Sequence, residues 1–231
     1  MASSPVTILD IVNKILARLR EGEVTDVTDS TYSRMLVNLI NDAKREVEDA
    51  FNWSVLKKTI DVTTVASTST IVVDDTAGND TNTRSRILEV YDSTNDCYLI
   101  QRTRDEIRRF AFDDNAEQEP TYYAIDGFDS DENVKIELHH TPADAYVLKI
   151  TAIVPQEDLE LAESKISVPW RPVYLRALTL ALRERGDDEG YGFGEAFQEY
   201  MIALNDAIAY EQQHTYGGSL QGDWHIVSNG F

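Results

Sequence analysis

The stretch PWRPVYLRALTLALRERGDDEGYGFGEAFQEYMIALNDAIAYEQQ, residues 169–213, decides how the rest of the chain is read. Its first half sets Tyr174, Leu178, Ala181 and Leu182 on one face, at i, i+4, i+7 and i+8. Its second half repeats the pattern with Phe197, Tyr200, Met201, Leu204 and Ile208. That is the period of two amphipathic helices. The segment between them, GDDEGYGFG, is too rich in glycine and aspartate to continue a helix. Ser167 and Pro169 suit an N-cap and a first-turn proline. Neither helix can bury its stripe alone, so the rest of the chain must supply a partner surface.

That surface is predicted upstream. Residues 7–19 read as a helix with Ile8, Ile11, Val12, Ile15 and Leu19 on one side. Gly22 and the polar run 25–31 break it, and Asp29 or Ser30 can cap the next helix. The second helix runs to about Phe51 with Leu36, Leu39, Ile40, Ala43, Val47 and Phe51 as its stripe. Trp53 then closes the helix end against the core. At Ser54 the period changes. The run VLKKTIDVTTVASTSTIVVDD is β-branched and alternating, and RILEVYD, CYLIQ, PTYYAID, NVKIELHH and residues 145–154 follow as further strands. Residues 93–95 suit a hairpin turn, and Thr103-Arg-Asp-Glu106 has the spacing of a capping box that opens a short helix.

The expected architecture is α+β: a four-helix bundle formed by N- and C-terminal helical pairs, with a mostly antiparallel β-sheet or sandwich between them. The segments are 1–53 and 156–213 for the bundle, 54–155 for the β insertion, and 214–231 for an extended C-terminal arm. The arm, HTYGGSLQGDWHIVSNGF, has no helical period, yet Tyr216, Leu220, Trp224, Ile226, Val227 and Phe231 are too apolar for a purely solvated tail. Such an arm packs on its own domain or anchors in a partner.

Composition narrows the function. Lys and Arg number 21 against 41 Asp and Glu, a net charge of −20 in 231 residues. That argues against DNA binding through a broad basic face. Cys97 is the only cysteine, so neither an intrachain disulfide nor a cysteine zinc site can form. No apolar run reaches membrane-spanning length, and MASSPVTILD lacks the features of a signal peptide, which fits a reducing cytosol.

Chemical motifs are sparse. GYGFG (190–194) follows a helix and lacks the Lys-Ser/Thr of a phosphate loop, so a helix-to-helix bend explains it better. Asp129-Ser-Asp131-Glu-Asn133 starts like a calcium loop, but Val134 and His140 stand where glycine and glutamate are needed. His139 and His140 on one strand point to opposite faces and cannot chelate one ion together. No nucleophile elbow or His-Glu-x-x-His occurs. No catalytic, cofactor or metal residue is assigned, and the expectation is a protein that is not an enzyme. One basic cluster stands out: Arg102, Arg104, Arg108 and Arg109. Flanked by Asp105, Glu106, Asp113 and Asp114, it suits a salt-bridged surface or an intersubunit contact with this chain's own acidic excess.

The order of elements carries a resemblance. Two helices end in Asn52-Trp53; Thr103-Arg-Asp-Glu-Ile-Arg-Arg109, Pro120-Thr-Tyr-Tyr-Ala-Ile-Asp-Gly127 and Thr141-Pro142-Ala-Asp-Ala-Tyr146 follow. The chain re-enters helix at Val168-Pro169-Trp170, with Arg-Ala-Leu and Ala-Leu-Arg-Glu-Arg-Gly186 beyond. Together these resemble the head-to-tail adaptor (connector, tail tubular protein A-like) family of tailed bacteriophages, over nearly the whole chain. The resemblance implies a homo-oligomeric ring, usually twelvefold, in the virion at the head–tail interface, made in the host cytoplasm. It would sit beneath the portal protein, extend the DNA channel and carry the tail nozzle or tail tube protein. The arm would reach the portal, and DNA would pass an acidic lumen without specific binding. Two other readings stay open: a tail-associated glycan or cell-wall hydrolase acting through carboxylates, and a monomeric β binding module.

Overall fold

Thr7 starts the first helix by a reciprocal cap. Its hydroxyl oxygen accepts the Asp10 N–H at 3.2 Å, and the Asp10 carboxylate accepts the Thr7 N–H at 2.9 Å. The resulting helix, α1 (Ile8–Arg18), buries Ile8, Ile11, Val12, Ile15 and Leu16. Leu19, expected in that stripe, is the half-buried C-cap, and Leu16 takes its place. The Asn13 side chain then clamps the Val24 backbone, at 2.9 and 3.0 Å. Of the two candidate caps for the next helix, Ser30 is the N-cap, paired with Ser33. Asp29 instead gathers the N–H groups of Thr25 and Asp26, tying the turn before it.

In the computed structural model the described residues are 6–74, 80–114, 116–186 and 191–216. They divide into two units, Met1–Val55 with Glu157–Phe231, and Leu56–Gln156.

The first unit is helical. α2 (Thr31–Ala50) buries Leu36, Ile40, Ala43 and Val47 as its periodicity predicts. It also buries a polar line beside them, Asn41, Lys44 and Glu48. That line grips the returning chain. Asn41 accepts from the Leu159 N–H at 2.9 Å and donates to its carbonyl at 3.0 Å. Lys44 Nζ donates to the Glu157 carbonyl at 2.5 Å and lies 3.7 Å from Glu48 Oε1, with both side chains fully buried. Trp53 is buried beyond the helix end, its indole N–H donating to the Val47 carbonyl at 2.7 Å and its ring edge-on to Phe51.

α4 (Trp170–Glu184) starts differently from the expectation. Pro169 is itself the N-cap and no side chain caps the helix, so Ser167 does not serve there. Pro172 fits in the first turn, where a backbone N–H has no intrahelical acceptor. α4 buries Pro172, Val173, Leu175, Ala177, Leu178, Thr179 and Ala181, far more than one stripe. The reason is its position: α1, α2 and α5 (Tyr191–Tyr216) all pack against it. The helices thus gather on α4 and do not form two equivalent pairs. Arg176 links three of them, with a two-point pair to Glu46 of α2 at 2.6 and 2.9 Å and its guanidinium 5.7 Å from the Tyr200 ring of α5. Helix α5 already contains Gly192 and Gly194, so the bend expected over GDDEGYGFG ends before Tyr191; residues 187–190 lie outside the described residues.

The second unit is one curled sheet where a sheet or a sandwich was expected. Its strands are β1 (Lys57–Thr63), β2 (Thr70–Val72), β3 (Arg86–Asp92), β4 (Cys97–Gln101), β6 (Tyr122–Phe128), β7 (Val134–His139) and β9 (Val147–Ile153). Their order is β1-β9-β3-β4-β6-β7-β2, and β5 (Glu117–Gln118) pairs separately with β8 (Thr141–Pro142). Every pairing in the large sheet is antiparallel except β4 with β6. Helix α3 (Arg104–Asp113) lies between those two strands in sequence and supplies the crossover a parallel pair requires. A single apolar cluster draws Ile60 from one edge strand, Ile71 from the other, and Val90, Leu99, Tyr123, Ile136 and Ile150 from the strands between. The sheet therefore closes its inner face around one core. Among the described residues no helix is long and apolar enough to cross a membrane.

Candidate interaction surfaces

Thr103 caps α3 as the sequence predicts. Its hydroxyl oxygen accepts the Glu106 N–H at 3.3 Å while the Glu106 carboxylate accepts the Thr103 N–H at 3.0 Å. The Thr103 N–H foremost, and then the Thr103 hydroxyl donating to the same carboxylate at 2.9 Å, hold the Glu106 carboxyl below the usual range. Ile107 is buried beneath the helix, and Phe110 packs on Tyr122 at 5.3 Å and His139 at 5.7 Å. With that face occupied, the four arginines divide. Arg104 pairs with Asp126, and with Glu137 at 3.4 Å, which ties it to its own sheet. Arg102 lies over the Tyr122 ring at 5.5 Å. Arg108 and Arg109 stay exposed, and among the described residues neither has an acidic partner. Beside them on the same helix face stands Phe112, 90% exposed.

Helix α5 turns a different face inward from the one its large residues suggest. Ala196, Tyr200, Ala203 and Leu204 are buried, while Phe197 and Met201, expected in the stripe, are exposed. The small side chains let α5 approach α4 closely, and the bulky ones are left to the flanks. Outside lie Ile202, 61% exposed, and Tyr210, 64% exposed, in line with Glu195, Glu199 and Asp206. Of the arm residues named from the sequence, Tyr216 ends α5 with its side chain outside the described residues. Leu220, Trp224, Ile226, Val227 and Phe231 also lie outside them.

The motif that begins like a calcium loop is a turn. Asp129 accepts from the N–H groups of Asp131 and Asn133 at 2.9 and 2.8 Å, shaping the turn between β6 and β7. Among the described residues no group of three His, Cys, Asp or Glu side chains could hold a metal ion. His139 and His140 do not diverge as strand alternation predicts. β7 ends at His139, the alternation stops there, and the two rings lie 4.3 Å apart. Burial, then neighbouring His140, push the His139 imidazole below its usual 6.5, and Asp114 pulls weakly the other way. The unfolded chain therefore takes up this proton more readily than the folded one, so stability is full above about pH 6.5 and falls as pH drops through and below it. We expect the melting temperature to fall between pH 7 and 5, and less steeply in His139→Phe, which keeps the stack on Phe110 and Tyr122 without the titration. Equal slopes in thermal scans of the two proteins would remove His139 from that account.

Residues 6–222 match the family described as SU10 adaptor protein. The chain belongs to the SU10 adaptor protein family. Among curated proteins nothing matches it. Membership makes the chain, in general terms, a phage head-to-tail adaptor and structural connector protein, as the ordered motifs suggested. The match names the SU10 adaptors where the motifs suggested a tail tubular protein A-like group.

The SU10 adaptor match spans both units and stops short of Trp224, Ile226, Val227 and Phe231. Sequence reading missed two features of this adaptor's surface and interior. The outward apolar and acidic line of α5 was hidden because periodicity weights large residues, while alanines set the contact with α4. A usable signal was present: Ala196, Ala203 and Ala207 recur at helical spacing around Tyr200. The buried pair Lys44 and Glu48 also sits at i, i+4, one step round the helix from an apolar stripe.

Proposed function

We propose that this SU10 adaptor assembles as a ring, of about twelve copies by the resemblance, beneath the phage portal. It extends the DNA channel there and carries the tail nozzle or tail tube protein, with no catalytic step of its own. Family membership across both units carries the reading. The net charge of −20 supports it, since an acidic ring repels a phosphate backbone and lets DNA slide with little adhesion. Exposed aromatic and aliphatic side chains on α3 and α5 support it too, because an assembly buries what a lone copy leaves in water. The apolar residues Leu220, Trp224, Ile226, Val227 and Phe231 are the portal anchor in this proposal.

Mixing the full chain with the portal of the same phage and imaging by electron microscopy tests the ring. Decorated portals are expected, and bare portals beside a monomeric chain would sink the reading. A chain truncated before Gly217 should keep the circular dichroism and melting temperature of the full chain yet lose portal attachment at least a hundredfold, about 2.7 kcal/mol. Unimpaired attachment by the truncated chain would place the anchor elsewhere. On host cell wall in a zymogram, this reading expects no clearing, whereas the hydrolase alternative requires it.

A further inference from the structure

Two helix faces on this chain are complementary in charge and in shape of pattern. The outer face of α3 offers Arg108 and Arg109 one turn before Phe112; Asp105 stands one turn earlier on that face, yet neither cation has an acidic partner at ion-pair distance among the described residues. Arginine and aromatic side chains are also the types that dominate binding energy at interfaces. The outer line of α5 is the inverse. Helix α5 contains no lysine or arginine at all. Glu195, Glu199, Ile202 and Asp206 follow at i, i+4, i+7 and i+11, one face of a helix, and Tyr210 continues it. Among the described residues, Glu195, Glu199 and Asp206 have no cation at ion-pair distance.

We infer that α3 of one copy docks on α5 of the next, with Phe112 against Ile202 and the Arg108–Arg109 pair against the flanking carboxylates. The inference rests on the ring reading above and deepens it by naming the contact. Acids one turn to either side of Ile202 can receive the arginines whichever way α3 runs. Because the two faces differ, the contact is heterologous: each copy uses α3 toward one neighbour and α5 toward the other. Contacts of that kind build rings when the rotation closes and filaments when it does not; two-fold dimers use one patch twice. Exposed at the rim, the charges steer the encounter and fix the register, and Phe112 and Ile202 exclude water at the centre.

The test is a charge swap in the full chain, followed by sedimentation velocity alone and with the portal of the same phage. R108E/R109E should weaken self-association at least tenfold without moving the melting temperature. E195K/E199K should do the same, and the chain carrying all four changes should regain association. Cross-linking gives a second readout: C97S/F112C/I202C, oxidised, should yield a ladder of linked copies. Rings that form equally well with R108E/R109E, together with an absent ladder, would overturn this contact and leave the ring standing. A wild-type chain that never assembles, alone or on the portal, would overturn both. Rings that form in R108E/R109E but fail to hold the tail protein would assign the α3 face to that partner and overturn the inference.

Discussion

Replacing Lys44 by methionine is expected to destabilise the protein by about 3–5 kcal/mol, the usual cost of removing one partner from a buried ion pair. The substitution keeps most of the side-chain volume, so packing changes little. What changes is that the fully buried Glu48 carboxylate loses the ammonium 3.7 Å away, and the Glu157 carbonyl loses its donor. Adding Glu48→Leu should recover most of the loss, since replacing both members of a buried pair with apolar groups is often neutral or stabilising. Guanidinium unfolding of the wild type, Lys44→Met and the double variant checks this, with a lowered midpoint and unchanged slope expected for the single change. A loss under about 1 kcal/mol would mean that water reaches Glu48.

Trp53→Ala should cost a similar amount, about 3–5 kcal/mol, because a large buried aromatic is cut to a methyl group and the cavity relaxes only in part. The side chain is 1% exposed and its ring meets Phe51 at 5.5 Å, edge-on. The indole also donates to the Val47 carbonyl, one of the last acceptors of α2. Trp53→Phe separates the two contributions. It keeps most of the apolar contact and removes the donor, so a loss of about 1–2 kcal/mol is expected, a hydrogen bond's worth plus imperfect filling. If Trp53→Phe proved as damaging as Trp53→Ala, the hydrogen bond and not the packing would be the dominant contribution.

Much of this structure is local and could be read from the chain. Thr103-x-x-Glu106 and Ser30 cap the helices they should cap, because a capping bond depends on residues three apart. The switch from helical period to alternation after Ser54 precedes β1 at Lys57. What escaped was non-local. Nothing along the chain marks β4 as the parallel neighbour of β6, and without that pairing a single curled sheet cannot be told from a sandwich. The four arginines look alike in sequence; Asp126 and Glu137, well beyond them, capture only Arg104. In the same way, Lys44 reads as a solvated charge until Glu157 returns from more than a hundred positions away to cover it.

That return has a consequence for how the protein is made. Arg185 reaches back to Glu21 and Tyr32, Arg176 to Glu46, and Leu159 to Asn41, so the helical unit is stitched across the whole intervening sheet sequence. On the ribosome, α1 and α2 emerge first and then wait roughly 5–20 s, at 5–20 residues per second, before Glu157 is synthesised. During that interval Ile11, Ile15, Leu36 and Ile40 have no α4 to cover them, while β9, which joins β1 to β3, is complete at Ile153, before α4 opens at Trp170. The sheet is therefore the first part able to reach its native pairing, and the nascent helices are the segment most in need of a chaperone's cover.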